Sequence, residues 1–342
     1  MLTHQDKLIL YALTINCRFP YSTISKIANL KPQTVKSRIE WMEKEGIIDK
    51  YYMTVYKIGV GIIKYTDFFY AGNFTKEQIA KIKQIPEAIT ITSFHGRWNL
   101  RVSINAQDMI RKNEIMDEIR EILGSNMVDF AEYELRDSKY LRRLFFLEEE
   151  QEPISHLNPK GAFQDVIMEY KKTFPKGIVE FDDLDLKIME ELRLNANISL
   201  NELSEKVGAN RETVVSRIKR FISTGVVGYF TVNLDYKKMG YNQFLLFIDT
   251  NDKDKALNFI KMNRYAHTHF EHSCKWNLCI NFFYQNHEDM TKFITEFNTY
   301  MGNELRQTML LEAIEEHKFT SFPSDLSKIY KNASIRVSPL VR

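Results

Sequence analysis

The sequence predicts an α+β protein in which two winged helix-turn-helix domains alternate with two ferredoxin-like (βαββαβ) sandwich domains. The first observation is that the 342-residue chain repeats itself. The second is that each copy passes from three helical patterns to a strand, and then to alternating strands and helices. At roughly 100–200 residues per domain, the length fits several domains. A composition of 44% hydrophobic and 27% charged residues is typical of a globular protein.

The repeat is continuous over the helical part of each copy. Residues 6–48 lie over residues 185–227 without a gap, and the densest agreement is TVKSRI at 34–39 against TVVSRI at 213–218. Further on, WNL at 98–100 recurs at 276–278. Two long copies indicate a duplicated unit, because a solenoid has more and shorter repeats.

The three helical patterns carry start and stop signals. Asp6 and Asp185 are predicted to cap the first helix of each copy. In the second copy, Ser199 and Glu202 have the spacing of a capping box. The third helix is expected to begin at Pro32 or after a cap at Asn210, and to end before Gly46 or Gly225, which suit left-handed caps. The β-branched and aromatic segments 47–55 and 226–232 follow as strands, which completes a winged helix-turn-helix.

The remainder of each copy reads as β-α-β-β-α-β. In the second copy we expect strand 244–250, helix 253–263, strands 266–273 and 276–284, helix 288–301 and strand 306–317. In the first copy the corresponding segments are 67–73, 76–85, 88–94, 98–105, 109–123 and 127–135. This order is typical of a ferredoxin-like sandwich.

The repeat also predicts the domain boundaries. The two winged helices are placed at 1–58 and 182–236, and the two sandwiches at 59–147 and 237–325. The polar segment 148–181 is predicted to be a linker with a short helix at 163–172, and 326–342 a C-terminal tail.

Several classes of protein are disfavoured. No apolar stretch approaches the ~18 residues of a membrane span, and the first residues do not resemble a leader peptide, so we expect a cytoplasmic protein. The three cysteines have no paired spacing that suggests a disulfide framework or zinc finger. No glycine motif for dinucleotides or nucleoside triphosphates occurs. Because the net charge is only +2, any basic surface must be local.

The third helix of each copy has such a local excess of basic residues. Residues 31–38 contain three cations and no acid, and residues 210–220 contain four cations and one acid, Glu212. In a helix-turn-helix this helix enters the major groove, so we predict DNA contacts from its polar residues. They are Lys31, Gln33, Thr34, Lys36, Ser37 and Arg38 in the first copy, and Arg211, Thr213, Ser216, Arg217, Lys219 and Arg220 in the second.

The alternative is that these cations are merely solvated, or that the winged helices bind protein. Acids from Glu40 to Asp49 nearly cancel the charge of the first copy, so we expect the second copy to bind DNA more strongly. We also expect that Arg217→Ala with Lys219→Ala weakens DNA binding without unfolding the protein. Lys36→Ala with Arg38→Ala is expected to weaken it less.

Segments 184–189, 198–203, 213–220 and 225–227 together resemble the leucine-responsive regulator/AsnC (Lrp/AsnC) family. The tandem arrangement resembles duplicated archaeal members. The resemblance implies a sequence-specific transcription regulator whose ferredoxin-like domains dimerise and sense a small molecule. It also favours a homodimer or higher homo-oligomer, and pairing of the two sandwiches within one chain is the alternative.

Family sensor domains usually carry a Gly-x-x-Asp turn before the third strand. Here the turns are GRWN at 96–99 and CKWN at 274–277. The resemblance therefore places a possible effector near Arg97, Trp98, Asn99, Lys275, Trp276 and Asn277. Plain packing of the two tryptophans at an interface is the favoured alternative.

A histidine cluster invites an enzyme hypothesis. His267, His269 and His272, with Glu271 and Cys274, are residue types that bind metals or haem. The segment from His269 to Leu278 also weakly resembles siroheme decarboxylases, which share this domain plan. Because His267 and His269 replace Ile89 and Ile91 of the first copy, buried core or interface histidines are favoured, with no cofactor, no metal and no enzymatic activity.

Overall fold

The computed structural model describes residues 2–62, 64–140, 145–147 and 177–326. The helix predicted at 163–172, most of the linker 148–181 and the tail after residue 326 lie outside the described residues.

Each copy begins with the predicted three helices and a strand. The first comprises α1 (His4–Ile15), α2 (Tyr21–Ala28), α3 (Pro32–Lys44) and β1 (Ile48–Val55). The second comprises α6 (Asp183–Leu194), α7 (Leu200–Val207), α8 (Arg211–Ser223) and β6 (Val227–Leu234). Gly46 and Gly225 follow α3 and α8 with φ of 67° and 75°, so both occupy the left-handed region that a helix stop favours.

The predicted caps of the first helices were wrong by one turn. The N-caps are Thr3 and Asp182, and Asp6 and Asp185 occupy the third helical position. Each pair forms a reciprocal capping box, because the cap side chain accepts from the backbone of the third residue and the third residue's carboxylate accepts from the cap backbone. This position turns both aspartates toward the third helix, and both are fully buried.

The two winged helices pack as one body. Strands β1 and β6 pair antiparallel with each other, with Tyr51 opposite Val232. Backbone hydrogen bonds cross between the copies, from the Cys17 amide to the Phe230 carbonyl and from the Ala196 amide to the Tyr51 carbonyl. The apolar residues of both copies form a single core. The separation of the two third helices is therefore set within one chain.

The remainder of each copy follows the predicted order. The first has β2 (Lys64–Gly72), α4 (Lys76–Gln84), β3 (Ala88–His95), β4 (Leu100–Ala106), α5 (Met109–Leu123) and β5 (Met127–Tyr140). The second has β7 (Asn242–Thr250), α9 (Lys253–Met262), β8 (Ala266–His272), β9 (Leu278–Tyr284), α10 (His287–Met301) and β10 (Leu305–Phe319). In each copy the two helices pack on one face of the sheet.

The two sheets close into one barrel, with strand order β10-β3-β4-β2-β5-β8-β9-β7. Strand β5 pairs with β2 over its first half and with β8 over its second, because its 14 residues extend past its own sheet. Strand β10 joins β7 and β3 in the same way. The sandwiches therefore pair within the chain, and these sheet edges are not available for a homodimer.

The barrel interior is mainly aromatic. Phe69 lies 5.3 Å from Phe247 between ring centroids in an edge-to-face contact, and both side chains come from equivalent positions of the two copies. Trp98 and Trp276 pack into the same cluster. Sheet closure thus buries a further core, distinct from that of the winged helices and from the cores under the sandwich helices.

Candidate nucleic-acid interface and barrel cavity

The outer face of α3 is polar. Gln33, Thr34, Lys36 and Ser37 are exposed, as is Lys31 immediately before the helix. Its inner face is held by the buried side chains Val35, Ile39 and Met42. Lys36 lies 3.7 Å from Glu40, an exposed pair of the kind that contributes little energy and leaves the cation accessible.

The outer face of α8 is similar but carries fewer exposed cations than its sequence suggests. Arg211, Ser216 and Lys219 are exposed, and Thr213 is half-buried. Asn210 caps the helix as predicted, because its side chain accepts from the Thr213 amide at 2.8 Å.

Arg217 and Arg220 are instead engaged by the first helix of the same copy. The Arg217 Nη1 atom lies 2.7 Å from Asp182 Oδ2 and 3.0 Å from Asp185 Oδ1. Arg220 also pairs with Asp185, whose side chain is fully buried. The hydrogen bond from the Asp185 amide and the nearby Arg217 hold the pKa of Asp182 below its usual value. These two arginines are occupied in balancing a buried carboxylate.

The first copy shows the same arrangement with a single partner, since Arg38 Nη1 lies 3.3 Å from the buried Asp6. The exposed cations among the predicted contacts are therefore Lys31, Lys36 and Arg38 in the first copy and Arg211 and Lys219 in the second, and of these only Arg38 pairs with a buried carboxylate. The stronger DNA binding that we expect of the second copy stays a prediction. The sequence contained a signal for these ion pairs, because an aspartate occupies the third position of the first helix in both copies.

The residues predicted to bind an effector mainly hold the barrel together. Trp98 and Trp276 are buried in its interior. Asn99 Nδ2 donates to the Gly72 carbonyl at 2.6 Å, and Asn277 Nδ2 donates to the Thr250 carbonyl at 2.7 Å. Each asparagine thereby fixes the end of the first sandwich strand.

The basic members of these turns are stacked on the neighbouring indoles. The Arg97 guanidinium lies 5.0 Å from the Trp98 ring centroid, and the Lys275 ammonium lies 5.2 Å from that of Trp276. None of the six turn residues lines the cavity between the β1–β6 ribbon and the barrel.

The three histidines are buried but are not brought together as ligands. The pairing of β8 with β9 places His269 opposite Ile280, on the helix-covered side. His272 stacks on Phe247 inside the barrel, with its Nε2 3.9 Å from Asp67 Oδ2. His267 lies beside Thr268, with 2.9 Å between Nδ1 and Oγ1. Within the described residues, no three His, Cys, Asp or Glu side chains form a group that could hold a metal.

A cavity of about 1140 Å³ lies between the β1–β6 ribbon and one end of the barrel. Its polar lining includes Lys57, Asp67, Arg101 and Glu316. Burial lowers the pKa of Lys57 to about 8, although nearby Asp67 opposes the shift. Lys57 Nζ donates to Asn105 Oδ1 at 3.1 Å.

Sequence reasoning missed this cavity. The signal was present, because Asp67 and Arg101 are charged residues within segments predicted to be half-buried strands, and the second copy has Leu245 and Cys279 at the equivalent positions. A charge that only one of two otherwise similar copies carries indicates a role that the shared fold does not require.

The comparisons with known proteins agree with the helical domains. A family described as winged helix-turn-helix DNA-binding matches residues 2–49 and 181–227. The HTH-type transcriptional regulator FL11 of Pyrococcus furiosus is 28% identical over 151 residues, which is 43% of this chain and 96% of the relative. LrpC of Bacillus subtilis, also an HTH-type transcriptional regulator, is 32% identical over 62 residues, or 18% of this chain and 43% of the relative.

Among solved structures, the siroheme decarboxylase NirDL has the same fold over almost the whole length. The TM-score is 0.61 at 11% identity, with 98% of this chain and 99% of that chain covered. At this identity the likeness extends to the fold alone. In the part of the chain that the structure describes, no helix is both long and apolar enough to span a membrane.

The fold and the two exposed helix faces thus define a winged helix-turn-helix DNA-binding protein. The relatives are named HTH-type transcriptional regulators and support a transcription regulator that resembles the Lrp/AsnC type.

Proposed function

We propose that this chain controls transcription by inserting α3 and α8 into the major groove of one DNA duplex. The observation that carries the proposal is that both helices expose polar, basic faces on a single body held by the β1–β6 pair. Two recognition helices at a fixed separation read two half-sites, as a dimer of separate chains does. One polypeptide here supplies both halves.

The proposed phosphate contacts are Lys31 and Lys36 of the first copy and Arg211 and Lys219 of the second, because these side chains are exposed and, unlike Arg38, do not pair with a buried aspartate. Gln33, Thr34, Ser37, Thr213 and Ser216 are the proposed neutral contacts. Lysine and arginine neutralise phosphates and release counterions, so affinity must fall with salt. Each lost phosphate contact lowers the salt slope by about 0.9.

The double variants Lys31→Ala with Lys36→Ala, and Arg211→Ala with Lys219→Ala, test the interface. Each is expected to weaken binding by about tenfold or more, equivalent to roughly 1.4 kcal/mol, and to lower the salt slope by about 2. The affinity is measured by fluorescence anisotropy at several salt concentrations. The DNA probes are fragments that are recovered from cells together with the native protein.

The matched control is Lys261→Ala with Lys292→Ala, which removes two exposed cations from α9 and α10. We expect wild-type affinity and salt slope for this control. Equal losses in the control and in the helix variants would mean that net charge alone attracts DNA. Unchanged binding in every variant would refute the interface.

We also propose that the protein acts without catalysing a reaction, as the regulators among its relatives suggest. Incubation of the purified protein with siroheme is expected to leave the tetrapyrrole mass unchanged, as measured by mass spectrometry under anaerobic reducing conditions. If the tetrapyrrole instead loses the mass of one or more carbon dioxide molecules over repeated turnovers, the protein is an enzyme. The fold that it shares with NirDL raises this alternative.

A homodimer or higher homo-oligomer and a small-molecule effector belong to the proposal as well. The barrel edges are paired within the chain, so a second copy has to attach through another surface. The cytoplasm, where the DNA is accessible, is the proposed location.

A further inference from the structure

We propose that the cavity between the β1–β6 ribbon and the barrel binds a small organic anion with an aromatic or apolar body, anchored by the guanidinium of Arg101. The site is separate from the turns at 96–99 and 274–277, and its existence does not depend on DNA binding.

Arg101 is the second residue of β4, opposite Phe69 of β2 and Thr92 of β3, so its side chain starts from the inner wall of the barrel. It is only 9% exposed and lines the cavity. Its Nε has no hydrogen-bond acceptor, and among the described residues no carboxylate oxygen lies within 4.0 Å of its guanidinium. Its nearest ring contact is Phe94, at 5.7 Å from the ring centroid.

A guanidinium in this position needs an acceptor. Arginine remains charged at all ordinary pH values, and a buried charge without a hydrogen-bonded partner is costly. Its fork of N–H donors fits a carboxylate, sulfonate or phosphate in two-point contact. An oxyanion entering the cavity would supply the acceptors that the described residues do not.

The acidic side chains nearby are already engaged. Asp67 accepts from Ser103 Oγ at 2.5 Å and faces His272. It attracts Arg101 only at longer range, and this attraction contributes to holding the pKa of Asp67 below its usual value. Glu316 accepts from Asn233 Nδ2 at 3.3 Å. Lys57 adds a second cation to the wall.

The asymmetry of the duplication supports a ligand over a structural role. The position of Arg101 is taken by Cys279 in the second copy, and that of Asp67 by Leu245. Both equivalents lie in the apolar cluster inside the barrel. Because the second sheet forms with apolar residues at these positions, folding alone gives no reason to keep a buried charge in the first.

The remaining lining indicates the body of the ligand. Aromatic side chains are frequent around the cavity, and those from the ribbon and the barrel include Tyr52, Tyr65, Phe270, Phe283 and Phe319. The volume of about 1140 Å³ exceeds the ~300–1000 Å³ of typical small-molecule sites, so a multi-ring molecule fits. Since β1 and β6 form part of the wall, such a ligand contacts the winged helices and the barrel together.

A pair of fluorescent probes separates charge from apolar binding. The anion 8-anilinonaphthalene-1-sulfonate and the neutral N-phenyl-1-naphthylamine share the same ring system. We expect the full chain to bind the sulfonate more tightly. Arg101→Gln is expected to lower the affinity for the sulfonate on the order of tenfold to a hundredfold, which corresponds to the loss of a charged hydrogen bond. The affinity for the neutral probe is expected to stay unchanged.

The matched control is Arg97→Gln, which removes an exposed guanidinium outside the cavity. It is expected to bind both probes like the wild type. Arg101→Gln should also unfold at the wild-type temperature or above, because it removes a buried charge that has no hydrogen-bonded partner among the described residues. The sulfonate should raise the unfolding temperature of the wild type but not of the variant.

Three outcomes would overturn the proposal. They are equal sulfonate affinity in wild type and Arg101→Gln, equal losses in Arg97→Gln, and a large fall in unfolding temperature for Arg101→Gln, which would make Arg101 a structural residue. These readouts involve no DNA, so a failure of the DNA-binding proposal leaves them unaffected.

Discussion

Replacing Trp98 with alanine is expected to lower the free energy of unfolding by about 3–5 kcal/mol, the usual cost of removing a buried tryptophan. Trp98 is 3% exposed inside the barrel, with its ring centroid 6.5 Å from that of Phe69. Its removal leaves a cavity at the junction of the two sheets. Urea-induced unfolding followed by circular dichroism measures the change, and Trp276→Ala should behave similarly because it occupies the equivalent position.

The controls are Arg97→Ala and Lys275→Ala, which change the adjacent side chains without disturbing the barrel interior. Their stability should stay within about 0.5 kcal/mol of the wild type. A Trp98→Ala protein of wild-type stability would contradict the packing role and return Trp98 to the effector hypothesis.

The second large effect concerns the arginines of α8. Arg217→Ala combined with Arg220→Ala is expected to destabilise the protein by about 3 kcal/mol, because it strands the fully buried carboxylate of Asp185. Thermal unfolding monitored by circular dichroism measures the shift. Lys219→Ala, an exposed substitution between the two, serves as the matched control and should leave stability unchanged.

This prediction revises the earlier expectation that Arg217→Ala with Lys219→Ala affects DNA binding alone. Loss of Arg217 is expected to reduce stability, and loss of Lys219 to reduce DNA affinity. If the Arg217→Ala, Arg220→Ala protein keeps its stability and loses DNA affinity, then both arginines contact DNA directly and the ion pairs with Asp185 are incidental.

Much of the fold was accessible from the sequence because it depends on local patterns. The apolar spacing of Ile9 and Leu13, the glycine stops at Gly46 and Gly225, and the β-branched segments defined helices and strands in the right order. The duplication extended each assignment to the other copy. The exposed polar faces of α3 and α8 also followed from helical periodicity, since the apolar positions determine which side faces outward.

What the sequence determined by itself is the list of elements, their order in each copy and the polar faces of the third helices, because these depend on contacts within a few residues. Three features became evident only in the folded chain: the sheets close on each other within one chain, Arg217 and Arg220 pair with Asp185, and Arg101 borders a cavity. Those outcomes depend on strand register and on side chains that meet across 30 residues or more, as Arg217 meets Asp185. No local pattern encodes such a meeting, because the energy that selects it comes from packing elements that are distant in the chain.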